Sequence, residues 1–105
     1  MDSSRIKQIN ELIKQKLSFI LNDHFPDEIF SITEVKTSPD LSFSKVFVSL
    51  LPGASDIISK MNNKSSELRS ELSQQIKVRH IPKIQFVIDD TEAYAEKIDN
   101  LFKKI

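Results

Sequence analysis

The apolar residues of this 105-residue chain switch between two spacings, and that switching restricts the fold more than any other feature. Ile6, Ile9, Ile13, Leu17, Ile20 and Leu21 recur at steps of three and four, which places them on one face of a helix over residues 3–22. Asp2, Ser3 or Ser4 is suited to cap it, and the stretch from Asn22 to Asp27, with Pro26, ends it. Strand-like sequence follows over residues 29–37 and 42–50. In the second run Val46, Val48 and Leu50 share one face, and Phe43, Lys45, Phe47 and Ser49 share the other. In the first run Phe30 and Ile32 suggest one face and Val35 the other, so the sequence leaves its register open; a bulge would reconcile them. Ser38-Pro39-Asp40 is a turn between the two runs, so the pair reads as an antiparallel hairpin closed by Pro52-Gly53.

Helical spacing returns over residues 55–77, where Ile58, Met61, Ser65, Leu68, Leu72 and Ile76 form a stripe. The stripe weakens at Asn62-Asn63-Lys64-Ser65-Ser66, a run of mostly poor helix formers, which predicts two helices or one bent near Ser65. Pro82 stops the helix and Ile84, Phe86 and Ile88 alternate in a third strand over residues 83–88. Asp89-Asp90-Thr91 then opens a last helix, with Tyr94, Ile98, Leu101, Phe102 and Ile105 as its apolar stripe. The order is α-β-β-α(kinked)-β-α. The third strand must enter the sheet by a crossover, and helices pack mainly on one sheet face. The expectation is one α+β domain spanning residues 1–105.

Much chemistry is excluded by what is missing. With Gly53 as its single glycine the chain has no Walker loop, dinucleotide fingerprint or nucleophile elbow, each of which needs several. Without cysteine it has no disulfide, thiolate metal site or thiol nucleophile, which fits a reducing cytoplasm. No apolar run approaches the roughly 20 residues of a membrane span. The N-terminal residues lead into an amphipathic pattern and not into the apolar block of a secretory signal. His24 and His80 are isolated and read as surface or half-buried histidines, not metal ligands. Asp89 and Asp90 are a conceivable carboxylate pair for metal or acid–base work, but a helix start accounts for both. No serine stands beside a plausible base, so no catalytic residue, metal or cofactor is expected.

What remains is charge. Lys and Arg number 15, as do Asp and Glu, but residues 60–83 carry Lys60, Lys64, Arg69, Lys77, Arg79 and Lys83 against Glu67 and Glu71. Lys64, Ser65 and Ser66 sit at the expected kink, and Arg69 about one helical turn beyond it. Lys77, Arg79, His80 and Lys83 gather where helix gives way to strand. Such an arrangement suits a phosphate backbone. Solubilising charge on a solvated face explains it as well, and charge alone favours that plainer account.

Several stretches, in order, shift the balance. VKTSPDL is followed by SKVFVSLL, then LRSEL, then IKVRHIPKIQFVIDD, in which Arg79, Pro82, Ile84, Phe86 and Asp89 keep a characteristic spacing. In this ordered set the chain resembles the ribosome-binding factor A family of bacterial small-subunit assembly factors, from the first helix to the last. The resemblance implies a type II KH-like fold with a three-stranded sheet. It also implies non-catalytic binding of small-subunit ribosomal RNA, on the free small subunit, during late maturation. Family members are linked to growth in the cold and replace the KH glycine loop by a helix–kink–helix, commonly Ala-x-Gly. Here Lys64-Ser65-Ser66 stands in that place.

The resulting expectation is a cytoplasmic, monomeric, cofactor-free protein of ribosome biogenesis and rRNA processing. Its RNA contacts are Lys64, Ser65, Ser66, Arg69, Lys77, Arg79 and Lys83, gathered in one cradle, with Arg5, Lys7 and Lys14 of the first helix adding to the footprint. The alternative is a KH-like protein-interaction module that docks through Phe43 and Phe47 without touching RNA.

Overall fold

The computed structural model describes residues 3–78 and 80–89, with the side chains of Ser3 and Ser4 outside the description. The elements run α1 (Ser3–His24), β1 (Phe30–Thr37), β2 (Phe43–Leu50), α2 (Asp56–Asn63), α3 (Ser65–Gln75) and β3 (Lys83–Ile88). The expected final helix lies outside the described residues, as do Arg79, Asp90 and Thr91.

The sheet has the order β1-β2-β3. β1 and β2 form the antiparallel hairpin, from Phe30 opposite Leu50 to Thr37 opposite Ser44. The register shifts between Ile32 and Glu34, which is the bulge that the misaligned apolar residues of β1 require. It lets Ile32 and Val35 both be buried. β3 pairs parallel with β2, Phe43 opposite Lys83 and Val48 opposite Ile88, after the crossover through α2 and α3. The architecture is thus α+β with a mixed sheet.

One core joins the inward sheet face to the three described helices. Ile13, Leu17, Ile20 and Leu21 of α1, Met61 of α2 and Leu68 and Leu72 of α3 meet Val46, Val48, Ile84 and Phe86 of the sheet. The α2 stripe differs from expectation by one residue: Ile57 is buried and Ile58 only half-buried. Ile57 and Met61 are four apart and point the same way, so the helix rotation follows Met61 and not Ile58. Within the core Ser44 is fully buried, and its hydroxyl lies 2.8 Å from that of Thr37. Thr37 in turn donates to Asn10 Oδ1 on α1, so this buried polar group is satisfied through a chain that ties helix to sheet.

Turn chemistry explains two special backbones. Gly53 has φ +82°, and Ala54 N–H bonds to Leu51 O, the pattern of a turn that needs a left-handed residue after proline. Leu41 also has positive φ, 62°, where glycine would be at ease. Its neighbours hold it there. Leu41 N–H bonds to Ser38 O, Ser38 N–H to Phe43 O, and Phe43 N–H to the Ser38 hydroxyl.

The edge strand β3 is fastened by side chains. The Asn62 amide donates to Phe86 O at 3.0 Å and accepts from Phe86 N–H at 2.8 Å, as a neighbouring strand would. Arg69 Nε and Nη2 both donate to Ile81 O, at 3.0 and 2.7 Å. We predict that Asn62→Ala destabilises the fold by about 1–3 kcal/mol, because both Phe86 groups lose their partner. Urea denaturation and faster hydrogen exchange at the Phe86 amide are the measurements; unchanged exchange contradicts this role.

Candidate nucleic-acid interface

The bend expected at Lys64-Ser65-Ser66 is present and falls on a single residue. α2 ends at Asn63, α3 begins at Ser65, and Lys64 between them has φ −99° and ψ 8°. Lys64 N–H still reaches Lys60 O and Met61 O, and Leu68 N–H reaches Lys64 O, so the break costs little hydrogen bonding. The Lys64 side chain turns back onto the end of α1. Its Nζ is 5.4 Å from the Phe25 ring centroid and 3.5 Å from His24 Nδ1. His24 Nε2 lies 2.5 Å from the Glu71 carboxylate. The two contacts suit an imidazole with its proton on Nε2. Lys64 therefore clamps the bend to α1.

Arg69 is likewise engaged, by the bond of Nε and Nη2 to Ile81 O. Its flank is open, however. Ser66, Arg69, Ser70, Ser73 and Ile81 line a shallow groove of about 210 Å³ along α3 beside the entry to β3. Ser65 at the first position of α3 is half-buried, and Ser66 is exposed. Lys77, just past α3, and Lys83, the first residue of β3, are both exposed. Lys83 stands on the sheet face opposite the helices, because Ile84 and Phe86 take the inward positions. Arg79 lies outside the described residues.

The first-helix cations divide between two further places. Lys7 and Lys14 line a depression with Asn10, Glu11, Thr33 and Glu34. Arg5 lines a larger groove, about 570 Å³, together with Asp40, Leu41, Val78, His80 and Pro82. Asp40 opposes anions there. Hydrogen bonds from the Ser38 and Ser42 hydroxyls, then from Ser42 N–H, lower its pKa from 3.8 to about 2. It is charged at any physiological pH.

The single cradle is thus not what the fold builds. Among the described residues the cations fall on several surfaces: Lys64 holds the bend to α1, Arg69 holds the Ile81 turn, and Lys83 faces away from the helices. Of the expected set, Ser66 and Arg69 share one groove, and Ser70 and Ser73 join them there. The sequence does carry a signal for those two serines, since positions 66, 70 and 73 share one helix face.

The chain matches the family model of ribosome-binding factor A over residues 5–102. It is 31% identical to ribosome-binding factor A of Brevibacillus brevis, with 100% of this chain and 92% of that protein covered. This chain belongs to the ribosome-binding factor A family. Among solved structures it is similar to the crystal structure of ribosome-binding factor A from Thermus thermophilus. The TM-score is 0.73 at 15% identity, covering 79% of this chain and 94% of the other. It is also similar to a Thermus thermophilus homology model fitted into a cryo-EM map of a complex of the factor with the 30S subunit. There the TM-score is 0.62 at 15% identity, covering 80% and 90% of the two chains. At these identities the structural likeness speaks for the fold.

The hairpin turn of this family member has a pH signature. Because the folded pKa of Asp40 is depressed, its contribution to stability is present above about 4 and fades as pH falls toward 2. Titration of the Asp40 carboxyl by NMR is expected to show a midpoint near 2, and Ser38→Ala to move it upward toward 3.8. A midpoint that ignores Ser38→Ala contradicts the assigned cause.

Proposed function

We propose that this protein binds small-subunit ribosomal RNA on the free small ribosomal subunit, as a non-catalytic factor of late subunit maturation and rRNA processing in the cytoplasm. Family membership supports the reading, and so does the relative from Thermus thermophilus fitted into a map of a 30S complex. The observation that carries it in this molecule is the groove along α3. Three serines and a guanidinium line it, and the same stretch of chain continues into Lys77, Arg79 and Lys83. Hydroxyl and guanidinium donors on a helix are the ordinary equipment for positioning phosphates, and they read no sequence by themselves. Lys64 contributes by holding the α2–α3 bend against α1. Arg69 does so by fixing the Ile81 turn, while Nη1 stays available to a phosphate.

With no excess positive charge overall, affinity for free RNA is modest, and the assembled particle supplies the remaining contacts. The protein acts as a monomer, in a type II KH-like arrangement whose glycine loop is replaced by the bend at Lys64. Its place in growth at low temperature follows from the same role.

Reversing Lys77, Arg79 and Lys83 together to Glu is expected to abolish co-sedimentation with the free small subunit while leaving circular dichroism unchanged. Binding of the parent protein should weaken steeply with salt, and Lys77→Gln alone should make the log–log slope shallower by about one. Unaltered co-sedimentation removes these three residues from the interface. Binding that ignores salt points to docking on a ribosomal protein instead.

A further inference from the structure

The sheet face turned away from the helices carries an arrangement that the α3 groove does not use. Phe43, Lys45 and Phe47 alternate outward along β2, the central strand. The register sets Lys36 of β1 opposite Lys45 and Lys83 of β3 opposite Phe43. Lys36 Nζ lies 5.6 Å from the centroid of the Phe47 ring. Each ring therefore has a lysine neighbour, and Lys45 stands between the rings.

Two physical points say what kind of partner this face fits. First, like charges directly opposite one another across a strand pair are unfavourable. Lys36 and Lys45 are so placed, and among the described residues neither lies within ion-pair distance of a carboxylate. An anion laid along the strands does. Second, the two phenylalanines are four residues apart on one strand, about 13 Å. That is far more than the ~3.4 Å between stacked bases of a duplex strand. The rings are spaced for bases that have left the stack. The face is also polar along its length: Glu34 stands opposite Phe47, and Asp89 accepts a hydrogen bond from Thr33 near the end of β3. The cations lie toward the Phe43 end.

We propose that this outer face binds unpaired, single-stranded nucleic acid. Phe43 and Phe47 stack two bases, and Lys36, Lys45 and Lys83 hold the intervening phosphates. A protein partner seated on the same rings would have to bring carboxylates of its own to receive three ammonium groups. The proposal deepens the RNA-binding reading and rests on it for the choice of RNA as the natural ligand. It assigns that RNA's single-stranded part to a second surface, across the sheet from the α3 groove.

The test uses fluorescence anisotropy with a short, unstructured pyrimidine RNA and, beside it, an RNA hairpin of equal length. The parent protein is expected to prefer the single strand. Phe43→Leu and Phe47→Leu, which keep apolar volume on the sheet, should each weaken that binding by about 10-fold. Lys45→Gln should weaken it and make the salt slope shallower by about one. Ultraviolet crosslinking of a 4-thiouridine-containing strand should label the peptides that contain Phe43 or Phe47. Equal affinity for strand and hairpin overturns the proposal. So does unchanged affinity of folded leucine variants, or crosslinking confined to α3. Leucine variants that lose co-sedimentation with the small subunit yet keep oligonucleotide affinity overturn it in favour of a protein contact. The two readings fail separately. Loss of the subunit interaction on reversal of Lys77 and Arg79 alone, with Lys83 of the outer face kept, does not bear on Phe43 or Phe47. Oligonucleotide binding does not depend on where the protein sits on the particle.

Discussion

A parallel edge strand has partners on one side only, and half of its backbone groups face away from the sheet. Much of this molecule is arranged around that exposed side of β3. Asn62, at the end of α2, offers Phe86 an amide that donates and accepts as a neighbouring strand would. Arg69, in the second turn of α3, grips the Ile81 carbonyl just ahead of β3. The two fasteners lie on either side of Lys64. A straight helix through Asn62 and Arg69 would separate them by seven residues, nearly two turns, on a rigid rod. The break at Lys64 gives each helix its own line along the strand. The bend thus has a structural reason before it has a functional one.

That reason also explains why the basic residues around the bend are not simply displayed. Lys64 spends its charge on the Phe25 ring and the His24 imidazole, and Arg69 spends two donors on a carbonyl. What is left to recognise a polyanion is distributed. A groove of hydroxyls runs along α3, exposed lysines stand at both ends of the turn into β3, and a lysine-flanked pair of rings occupies the other side of the sheet. In a chain whose formal charge is zero, such local concentrations decide where an anion approaches.

The elements were legible because each has a strong period. The alternation in VFVSL and KIQFVI has no helical counterpart, and Asn62-Asn63 with two serines marks the break. Even the β1 bulge is implied by Ile32 and Val35, which three-residue spacing would otherwise put on opposite faces. Ile57 was hidden because Ile57 and Ile58 are equally apolar, and only packing against Met61 chooses between them. The site was harder to read, because proximity along the chain does not give side-chain direction. Lys83 is next to Ile84, and strand alternation alone turns it away from the helices. Lys36 meets Phe47 only through a register set by the turn at Ser38–Ser42, with its strained Leu41, and no periodicity in the chain specifies that.

The parallel pairing of β2 with β3 has a consequence for how the chain reaches its native state. The hairpin is complete by Leu50, but the strand that closes the other flank of β2 begins only at Lys83, after both short helices. Local contacts form early and closing a long loop comes late, so the last ladder is the slow event. During synthesis β2 waits with a bare flank until β3 emerges. Ser44, Lys45 and Ser49, polar residues set among its valines and phenylalanines, lower the tendency of that waiting strand to pair with another chain.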